Sequence, residues 1–305
     1  HLDYHGTMGE YAEAKAKLFQ FPKLENAIIN FDDTFGRELA MKLLALDSPQ
    51  VWGFALRSNT FAGFEKFGDR LKRAYAENTL FTTSGYESKF NCDGLGSSTV
   101  QLSVLGEFNL SNCLAVWTTL LAQGMSSHEA SKRMSKLSAV SGRMELIRLN
   151  KSQKAEGPLI VVDYAHTPDA LTKALNALRP IANQRDGKLW CVFGCGGDRD
   201  SGKRPQMGRA AQEFADHIVI TSDNPRSEDP GSIIAMIQAG MSGDLSNVQA
   251  LPDRAAAIMA AVRHADIKDI VLVAGKGHES TQEISGKKFD FSDQEHIRLA
   301  AGGGV

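Results

Sequence analysis

The chain has 305 residues, of which 42% are hydrophobic and 23% charged, and its formal net charge is −2. This balance is typical of a soluble protein with a full core, and the length suggests about two domains. The small net charge gives no electrostatic footprint for nucleic acid or for an anionic membrane. Apolar runs such as LIVV and DIVLVAG are far shorter than the roughly 20 residues that span a bilayer, and no signal-peptide pattern precedes them.

The cysteines favour no metal or redox site. Cys92, Cys113, Cys191 and Cys195 are unevenly spaced, and the closest pair has the spacing C-x3-C, which is neither a zinc knuckle nor a redox C-x-x-C motif. We therefore expect unpaired, buried thiols in a reducing cytosol. The chain opens on HLDYHG without an initiator methionine, so we expect a fragment or the ordered part of a longer protein.

In the first half of the chain, to about residue 140, the predicted elements alternate irregularly. Two helices and two strands come first, namely MGEYAEAKAKLF, NAIINF, TFGRELAMKLLAL and VWGFALR. Residues 60–96 are polar and dotted with glycine, which predicts loops and short strands. STVQLSVLG alternates with period two, as a half-buried strand does, and two predicted helices follow, LSNCLAVWTTLLAQG and SHEASKRMSKL.

From about residue 141 the pattern becomes a regular alternation of strand, loop and helix. The predicted strands are LIVVDYA, KLWCVFG, HIVIT and IVLVAG. The predicted helices are DALTKALNALRP, RPQMGRAAQEFA, GSIIAMIQAGM and RAAAIMAAVRHA. This repetition predicts an α/β fold with a mostly parallel sheet that helices cover on both faces. Ligands of such sheets bind at the carboxyl ends of the strands.

The loops at these strand ends carry unusual clusters of polar residues. They are DYAHTPDAL, CGGDRDSGKRP, SDNPRSEDP and GKGHES. Together they predict a pocket lined by both signs of charge, which suits a zwitterionic ligand near a phosphate better than an apolar one. In the third loop Pro225 ends the strand, and Asp229 followed by Pro230 predicts the cap and first residue of the next helix.

Each of these loops also has an ordinary interpretation. GCGGDR superficially suggests a dinucleotide loop, but Arg199 stands where G-x-G-x-x-G needs its third glycine. His166 alone suits a helix start or a core, Asp163 a strand-end cap, and Lys276 lies in GKGHE without the rest of a P-loop. The convergence of four charged loops on one edge is what favours a binding site.

The first half has a weaker cluster of candidates. HLDYHG places His1, Asp3 and His5 close together, and Lys15 follows on the first helix, where a lysine is usually a solvated charge. Asn109 and Asn112 of GEFNLSN lie three residues apart at a predicted helix start, where side-chain amides can contact a ligand. For Asn109 the competing interpretation is a helix cap.

The chain resembles the Mur ligase family through a long, ordered set of motifs from His1 to about Asp293. These motifs are HLDYHG…EYAEAK, GEFNLSN, SGRMEL, VVDYAHTPDAL, CVFGCGGDRDSGKRP, TSDNPRSEDP and VAGKGHE. The resemblance implies the latter part of a P-loop ATPase-like central domain over residues 1–140 and a Rossmann-like C-terminal domain over residues 141–305. The family's N-terminal domain and its P-loop lie upstream of these motifs, so we expect this chain alone to be inactive.

The resemblance also implies a reaction and its participants. Family members form an amide by ATP-driven acyl phosphate chemistry with Mg²⁺. For this chain, the matching motifs imply the addition of meso-diaminopimelate to UDP-N-acetylmuramoyl-L-alanyl-D-glutamate during peptidoglycan precursor synthesis. The expected protein is a cytoplasmic monomer that binds neither nucleic acid nor membranes.

Site residues follow from the resemblance position by position. His1 matches a magnesium ligand, and Lys15 matches a lysine that CO₂ carbamylates, which makes it an anionic ligand for Mg²⁺. Asn112, with Asn109 nearby, matches an adenine-contacting asparagine.

Further positions match the family around the reacting groups. Arg143 corresponds to an ATP-phosphate contact, and Asp163 to a ribose contact. The resemblance also implies that His166 is close to the reacting groups and that Lys203 can reach the acyl phosphate.

The implied amino-acid pocket consists of Arg199, Asp223, Asn224, Arg226, Gly275 and Glu279. In family members that use meso-diaminopimelate the Asp-Asn-Pro-Arg motif marks that substrate, whereas lysine-using members lack the arginine. The chemistry agrees, because a guanidinium clamps a carboxylate through two hydrogen bonds. Asp223 and Glu279 are suitable acceptors for the distal ammonium.

Two other functions remain as alternatives. A folylpolyglutamate-synthase-like ligase has the same fold and the carbamylated lysine, but it does not explain the Asp-Asn-Pro-Arg motif or the CGGDRDSGKRP loop. An inactive, Rossmann-like binding module leaves His1, Lys15, Arg143 and Asp163 without a purpose.

Overall fold

The structure is a computed structural model that describes residues 7–82, 85–147 and 157–302. The chain divides into two compact units. The first unit contains His1–Ser103 with Glu107–Ser138, and the second contains Val104–Gly106 with Ala139–Val305. Among the described residues, no helix combines the length and the apolar character that a membrane span requires.

The first unit is built on a mixed sheet of order β1-β2-β3-β4-β5. Its strands are β1 (Asn26–Asn30), β2 (Gln50–Ala55), β3 (Leu71–Thr82), β4 (Gly85–Cys92) and β5 (Gly96–Leu102). The pairs β1–β2 and β2–β3 are parallel, whereas β3–β4 and β4–β5 are antiparallel. Its helices are α1 (Met8–Ala16), α2 (Thr34–Leu44), α3 (Glu107–Ala122) and α4 (Ser127–Met134), with short 3-10 segments at Lys17–Gln20, Ser58–Phe61 and Glu65–Arg70.

The prediction of loops and short strands over residues 60–96 is wrong for most of that stretch. β3 and β4 form a long antiparallel pair, with a bulge between Glu77 and Leu80. These strands were not recognised in the sequence because some of their polar side chains are buried and hydrogen-bonded, which hides the usual apolar alternation. Ser88 is fully buried, and its hydroxyl is 2.8 Å from that of Thr79. The cap interpretation of Asn109 is also wrong, because α3 begins two residues earlier, at Glu107.

The second unit contains the predicted parallel α/β sheet, of order β10-β9-β8-β11-β7-β6. Its strands are β6 (Glu145–Leu146), β7 (Leu159–Asp163), β8 (Leu189–Phe193), β9 (His217–Ile220), β10 (Val248–Ala250) and β11 (Ile270–Ala274). All pairs are parallel except β6–β7. Every residue of β11 is buried, as expected for a central parallel strand covered on both faces.

Helices in the second unit form two groups. They are α5 (Pro168–Gln184), α6 (Lys203–Phe214), α7 (Pro230–Gln238), α8 (Arg254–His264) and α9 (Asp293–Gly302). α5, α6 and α7 pack in succession, while α8 packs on α9. Val271 and Val273 of β11 join the core cluster of α8 and α9, so Leu272 between them points to the opposite face of the sheet.

Three features of this unit depart from the sequence prediction. α5 continues past Pro180 to Gln184, although the predicted helix ended at that proline. The strands β6 and β10, the hairpin of β12 (Thr281–Ile284) and β13 (Lys287–Asp290), and helix α9 were not predicted. The start of α7 is as predicted, since Asp229 caps it by accepting from the Ser232 amide and Pro230 is its first residue.

Candidate amino-acid-binding site

A polar cavity of about 410 Å³ lies at the carboxyl ends of β7, β8, β9 and β11. Its lining brings together most of the predicted residues of this unit, which are His166, Arg199, Lys203, Asp223, Asn224, Arg226, Gly275 and Glu279. Tyr164, Gly194, Cys195, Gly196 and Asp200 complete it. The four strand-end loops therefore converge as the parallel topology predicts.

Close backbone packing joins two of these loops. The Gly197 amide donates to the Asn224 carbonyl at 2.9 Å. A Cβ at Gly197 would lie 1.9 Å from the Pro225 carbonyl oxygen, so only glycine allows this approach. The glycine-rich loop thus fixes the position of the Asp-Asn-Pro-Arg loop.

Arg226 is held in place by contacts of both its backbone and its side chain. Its backbone has a φ of +52°; its amide donates to the Glu283 carbonyl, and its carbonyl accepts from Ser285. Its Nη1 donates to the Gly197 carbonyl at 2.7 Å, and its Nε lies 3.6 Å from Oε2 of Glu283. A left-handed backbone is uncommon for arginine, and the backbone contacts from β12 and from Ser285 directly after it maintain this conformation.

Asp223 lies at the base of the cavity and is almost completely buried. Burial raises the pKa of its carboxyl group, while the charges of Arg254 and Lys276 oppose that rise. Gly275 leaves room for the carboxylate, because a Cβ there would lie 2.9 Å from Oδ2 of Asp223 and the φ of Gly275 is +115°.

Glu279 and Asn224 share a buried cation that sequence analysis left outside the site. The Lys276 ammonium donates to Oδ1 of Asn224 at 3.0 Å and to Oε2 of Glu279 at 3.1 Å, and lies 3.7 Å from Oδ1 of Asp223. Burial alone would raise the pKa of Glu279, but the Asn224 hydrogen bond and the nearby Lys276 charge lower it on balance.

Two buried arginines, Arg204 and Arg254, support the loops from behind, and the burial of neither was predicted. Arg254 pairs with Asp293 and donates to the carbonyls of Ser222 and Ala274. Arg204 pairs with Glu228 at 2.7 Å. Their sequence context gives no signal of burial, because an arginine in the first turn of a helix is usually solvated.

On the β7 side of the cavity, Lys203 donates from Nζ to the His166 carbonyl at 3.0 Å. The His166 ring lies 4.7 Å from that of Tyr164, and the Arg143 guanidinium lies 4.8 Å from the same tyrosine ring. Asp163 accepts from the amides of Met144 and Ala165, both at 2.8 Å. This matches the strand-end cap interpretation, and the ribose role of Asp163 stays a prediction.

The remaining predicted residues belong to the first unit or lie outside the described residues. His1 is outside them. Lys15 is exposed on α1, with its Nζ 5.4 Å from the Tyr11 ring centroid, and Asn112 is exposed on α3. No group of three His, Cys, Asp or Glu side chains that could hold a metal occurs within residues 7–82, 85–147 and 157–302. The metal roles of His1 and Lys15 stay predictions.

The cavity is thus chemically suited to a ligand that carries both charges. Arg199 and Arg226 are hydrogen-bond donors for carboxylates, and Glu279 is an acceptor for an ammonium group. The fold and this cavity define a class of α/β domains that bind polar ligands at the carboxyl ends of a mostly parallel sheet. Two family models match the chain: the Mur ligase middle domain over residues 1–120 and the Mur ligase glutamate ligase domain over residues 142–277. The chain belongs to the Mur ligase family.

Individual relatives of this chain have more specific names than the family models. UDP-N-acetylmuramoyl-L-alanyl-D-glutamate–2,6-diaminopimelate ligase of Ralstonia nicotianae is 51% identical over 304 residues, covering 98% of this chain and 56% of that protein. The ligase of the same name from a Janthinobacterium species is 44% identical over 301 residues, with coverages of 98% and 56%. A solved structure of a ligase with this name has 38% identity and a TM-score of 0.71, covering 99% of this chain and 58% of that one. The chain spans about half the length of these curated relatives.

Proposed function

We propose that this chain is the amino-acid-binding part of an ATP-dependent ligase that adds meso-diaminopimelate to UDP-N-acetylmuramoyl-L-alanyl-D-glutamate. The observation that carries the proposal is the shared cavity of Arg226, Asn224 and Glu279. The distal carbon of meso-diaminopimelate bears a carboxylate and an ammonium, and this cavity offers donors for the first and an acceptor for the second. Lysine lacks the distal carboxylate and would leave Arg226 without its ligand.

In the reaction the D-glutamate carboxylate takes the γ-phosphate of ATP, which releases ADP. A neutral amine then attacks the resulting acyl phosphate, and phosphate leaves as the amide forms. Held by its distal end, the substrate is oriented with its reacting amine toward the rest of the cavity. Lys203 and His166 line that part, and the Lys203 ammonium would stabilise negative charge on the acyl phosphate. Mg²⁺ would supply further charge neutralisation, held by His1 and by Lys15 once a carbamate has made its side chain anionic.

The remaining expectations for the whole protein are part of the same proposal. Four unpaired, buried cysteines suit a reducing cytoplasm. Asn109, Asn112, Arg143 and Asp163 are the proposed ATP contacts. We further propose a monomer that acts on its two substrates without nucleic acid or membrane.

The test is phosphate release from ATP by the protein expressed from the whole reading frame that encodes this chain. Phosphate should appear only when both the muramoyl dipeptide and meso-diaminopimelate are present. L-lysine should be used with a kcat/KM lower by a factor of up to about 10⁴–10⁵. Equal use of lysine, or release that needs no amino acid, would refute the proposal.

Arg226→Gln should lower the kcat/KM for meso-diaminopimelate and so reduce the preference for it over L-lysine. The KM for ATP should stay unchanged. Arg209→Gln is a matched control, because Arg209 is an exposed arginine of α6 that does not line the cavity. Failure of the protein to bind Mg·ATP at all would favour the binding-module alternative.

A further inference from the structure

Lys276 is a lysine whose side chain has no solvent-exposed surface, directly beneath the proposed substrate pocket. A buried ammonium is costly unless charge and hydrogen bonds compensate it. Here the compensation comes from Asn224, Glu279 and Asp223, three residues that line the cavity. Lys276 itself does not line it. The lysine therefore acts on the ligand only through the residues it holds.

The two carboxylate oxygens of Glu279 differ in their hydrogen bonds. Oε2 accepts from both Lys276 and Nδ2 of Asn224, at 3.1 and 3.0 Å. Oε1 has no partner among the residues that the structure describes. One oxygen of the carboxylate is thus used to fix its position, and the other is left for a ligand.

The same lysine sets the orientation of the Asn224 amide. Oδ1 of Asn224 accepts from Lys276 and from the Glu283 amide, both at 3.0 Å, which occupies both of its lone pairs. A flipped amide would place its NH₂ group against the ammonium and against the Glu283 N–H. The donor side of Asn224 therefore has to face Glu279 and the cavity.

The charges of the cluster give the same conclusion. Asp223 and Glu279 carry two negative charges when ionised, and Lys276 neutralises one of them. Two other cations lie nearby, and both have partners of their own: Arg254 pairs with Asp293, and the Nε of Arg226 lies 3.6 Å from Oε2 of Glu283. Without Lys276, two neighbouring carboxylates would oppose each other's ionisation. With it, the cluster retains one net negative charge for one incoming ammonium.

We infer that Lys276 is a positioning and specificity-determining residue, which orients Asn224 and presents one free carboxylate oxygen of Glu279 to the distal ammonium of the substrate. This inference rests on the proposed function, because it names the way in which the same pocket recognises its substrate. It assigns Lys276 a role in substrate affinity and none in ATP binding.

The test uses the protein expressed from the whole reading frame and compares the steady-state constants of the wild type with those of Lys276→Met. This substitution keeps the approximate length of the side chain and removes its charge. The KM for meso-diaminopimelate should rise by about 10- to 100-fold, the cost of losing a charge-assisted hydrogen bond. The KM for ATP and kcat should change by less than about threefold. Lys268→Met is the control, because Lys268 is 57% exposed and pairs with Asp186 away from the cavity.

A double-mutant cycle with Glu279→Gln separates positioning from a general structural role. Once Glu279→Gln has removed the presented carboxylate, adding Lys276→Met should raise the KM for meso-diaminopimelate by less than about threefold more. If the two substitutions raise the KM for meso-diaminopimelate by factors that simply multiply in the double variant, the inference is overturned. An unchanged KM in Lys276→Met would overturn it as well. If Lys276→Met does not fold, Lys276→Gln, which removes the charge but keeps a hydrogen-bond donor, takes its place in the same cycle. An inactive wild-type protein would instead refute the proposed function and the inference with it.

Discussion

Arg254 and Asp293 form an ion pair in which neither side chain is exposed. Nε and Nη2 of the guanidinium donate to the two carboxylate oxygens, each at 2.7 Å. The guanidinium also donates to the carbonyls of Ser222 and Ala274, one residue before Asp223 and Gly275 in the chain. One buried pair thus holds together the two loops that form the base of the cavity.

Asp293→Asn should destabilise the protein by about 3–5 kcal/mol, because it leaves the Arg254 charge buried without a counter-charge. Urea unfolding followed by circular dichroism measures this as a lower midpoint. Asp186→Asn breaks an ion pair with Lys268 whose side chains are 91% and 57% exposed, so it should cost less than about 1 kcal/mol. Similar losses in both variants would contradict the role assigned to Arg254 and Asp293.

The cysteines should be nearly inert in the native protein. Burial raises the pKa of the Cys92 and Cys195 thiols to about 12 and that of Cys113 to about 11, and it also raises the pKa of Cys191. Since the thiolate is the reactive form, a thiol-specific reagent at pH 8 should label the native protein slowly. All four thiols should react after unfolding in urea. Rapid labelling of the native protein at any cysteine would show that its environment differs from the one described.

The sequence was informative where function depends on topology. Parallel strands place their carboxyl ends at one edge of the sheet, so the sequence alone predicts that the loops of Arg199, Asp223 and Glu279 lie together. The alternation of buried strands and helices likewise predicted the sheet of the second unit. The apolar patterns of single strands and helices are local features of the sequence. The parallel sheet then follows from the general rules by which such elements connect.

The missed residues depend on contacts that no local pattern encodes. Lys276 has the sequence context of a surface loop, and its burial results from packing against Asn224, 52 residues earlier in the chain. Arg254 and Asp293 are 39 residues apart, at the starts of α8 and α9. The strand β4 was missed because buried polar groups such as Ser88 break the apolar alternation by which a strand is usually identified.

Gly275→Ala should impair substrate binding more than folding. The new Cβ would lie 2.9 Å from Oδ2 of Asp223, so the carboxylate has to move. We expect the KM for meso-diaminopimelate to rise by about 10- to 100-fold, since small displacements in a site have effects of that size. Gly243→Ala is the matched control, because Gly243 also has a positive φ, of +74°, but nothing within 4 Å of a Cβ. It should cost about 1–2 kcal/mol of stability and leave the KM unchanged. An equal effect on KM in both variants would argue against a specific clash with Asp223.

Glu228 should make the protein sensitive to acid in a defined pH range. Hydrogen bonds from the Arg204 guanidinium, and then from the Asp198 amide, lower the pKa of Glu228 from its ordinary value of 4.5 to about 2. A lowered pKa stabilises the folded state fully above pH 4.5, where the unfolded chain is also ionised. That stabilisation is lost as the pH falls from about 4.5 toward about 2, because the unfolded state then binds the proton first.

Glu228→Gln should therefore be less stable than the wild type at pH 7 and should lose less stability on acidification through this range. The measurement is the urea midpoint of both proteins at several pH values between 7 and 2.5. Glu213→Gln removes an exposed carboxylate of α6, the helix that also carries Arg204, and should retain the acid sensitivity of the wild type. Parallel pH profiles for wild type and Glu228→Gln would mean that the Arg204 pair does not set the ionisation of Glu228. In that case the anchoring of the glycine-rich loop would have to come from its backbone contacts with the Asp-Asn-Pro-Arg loop.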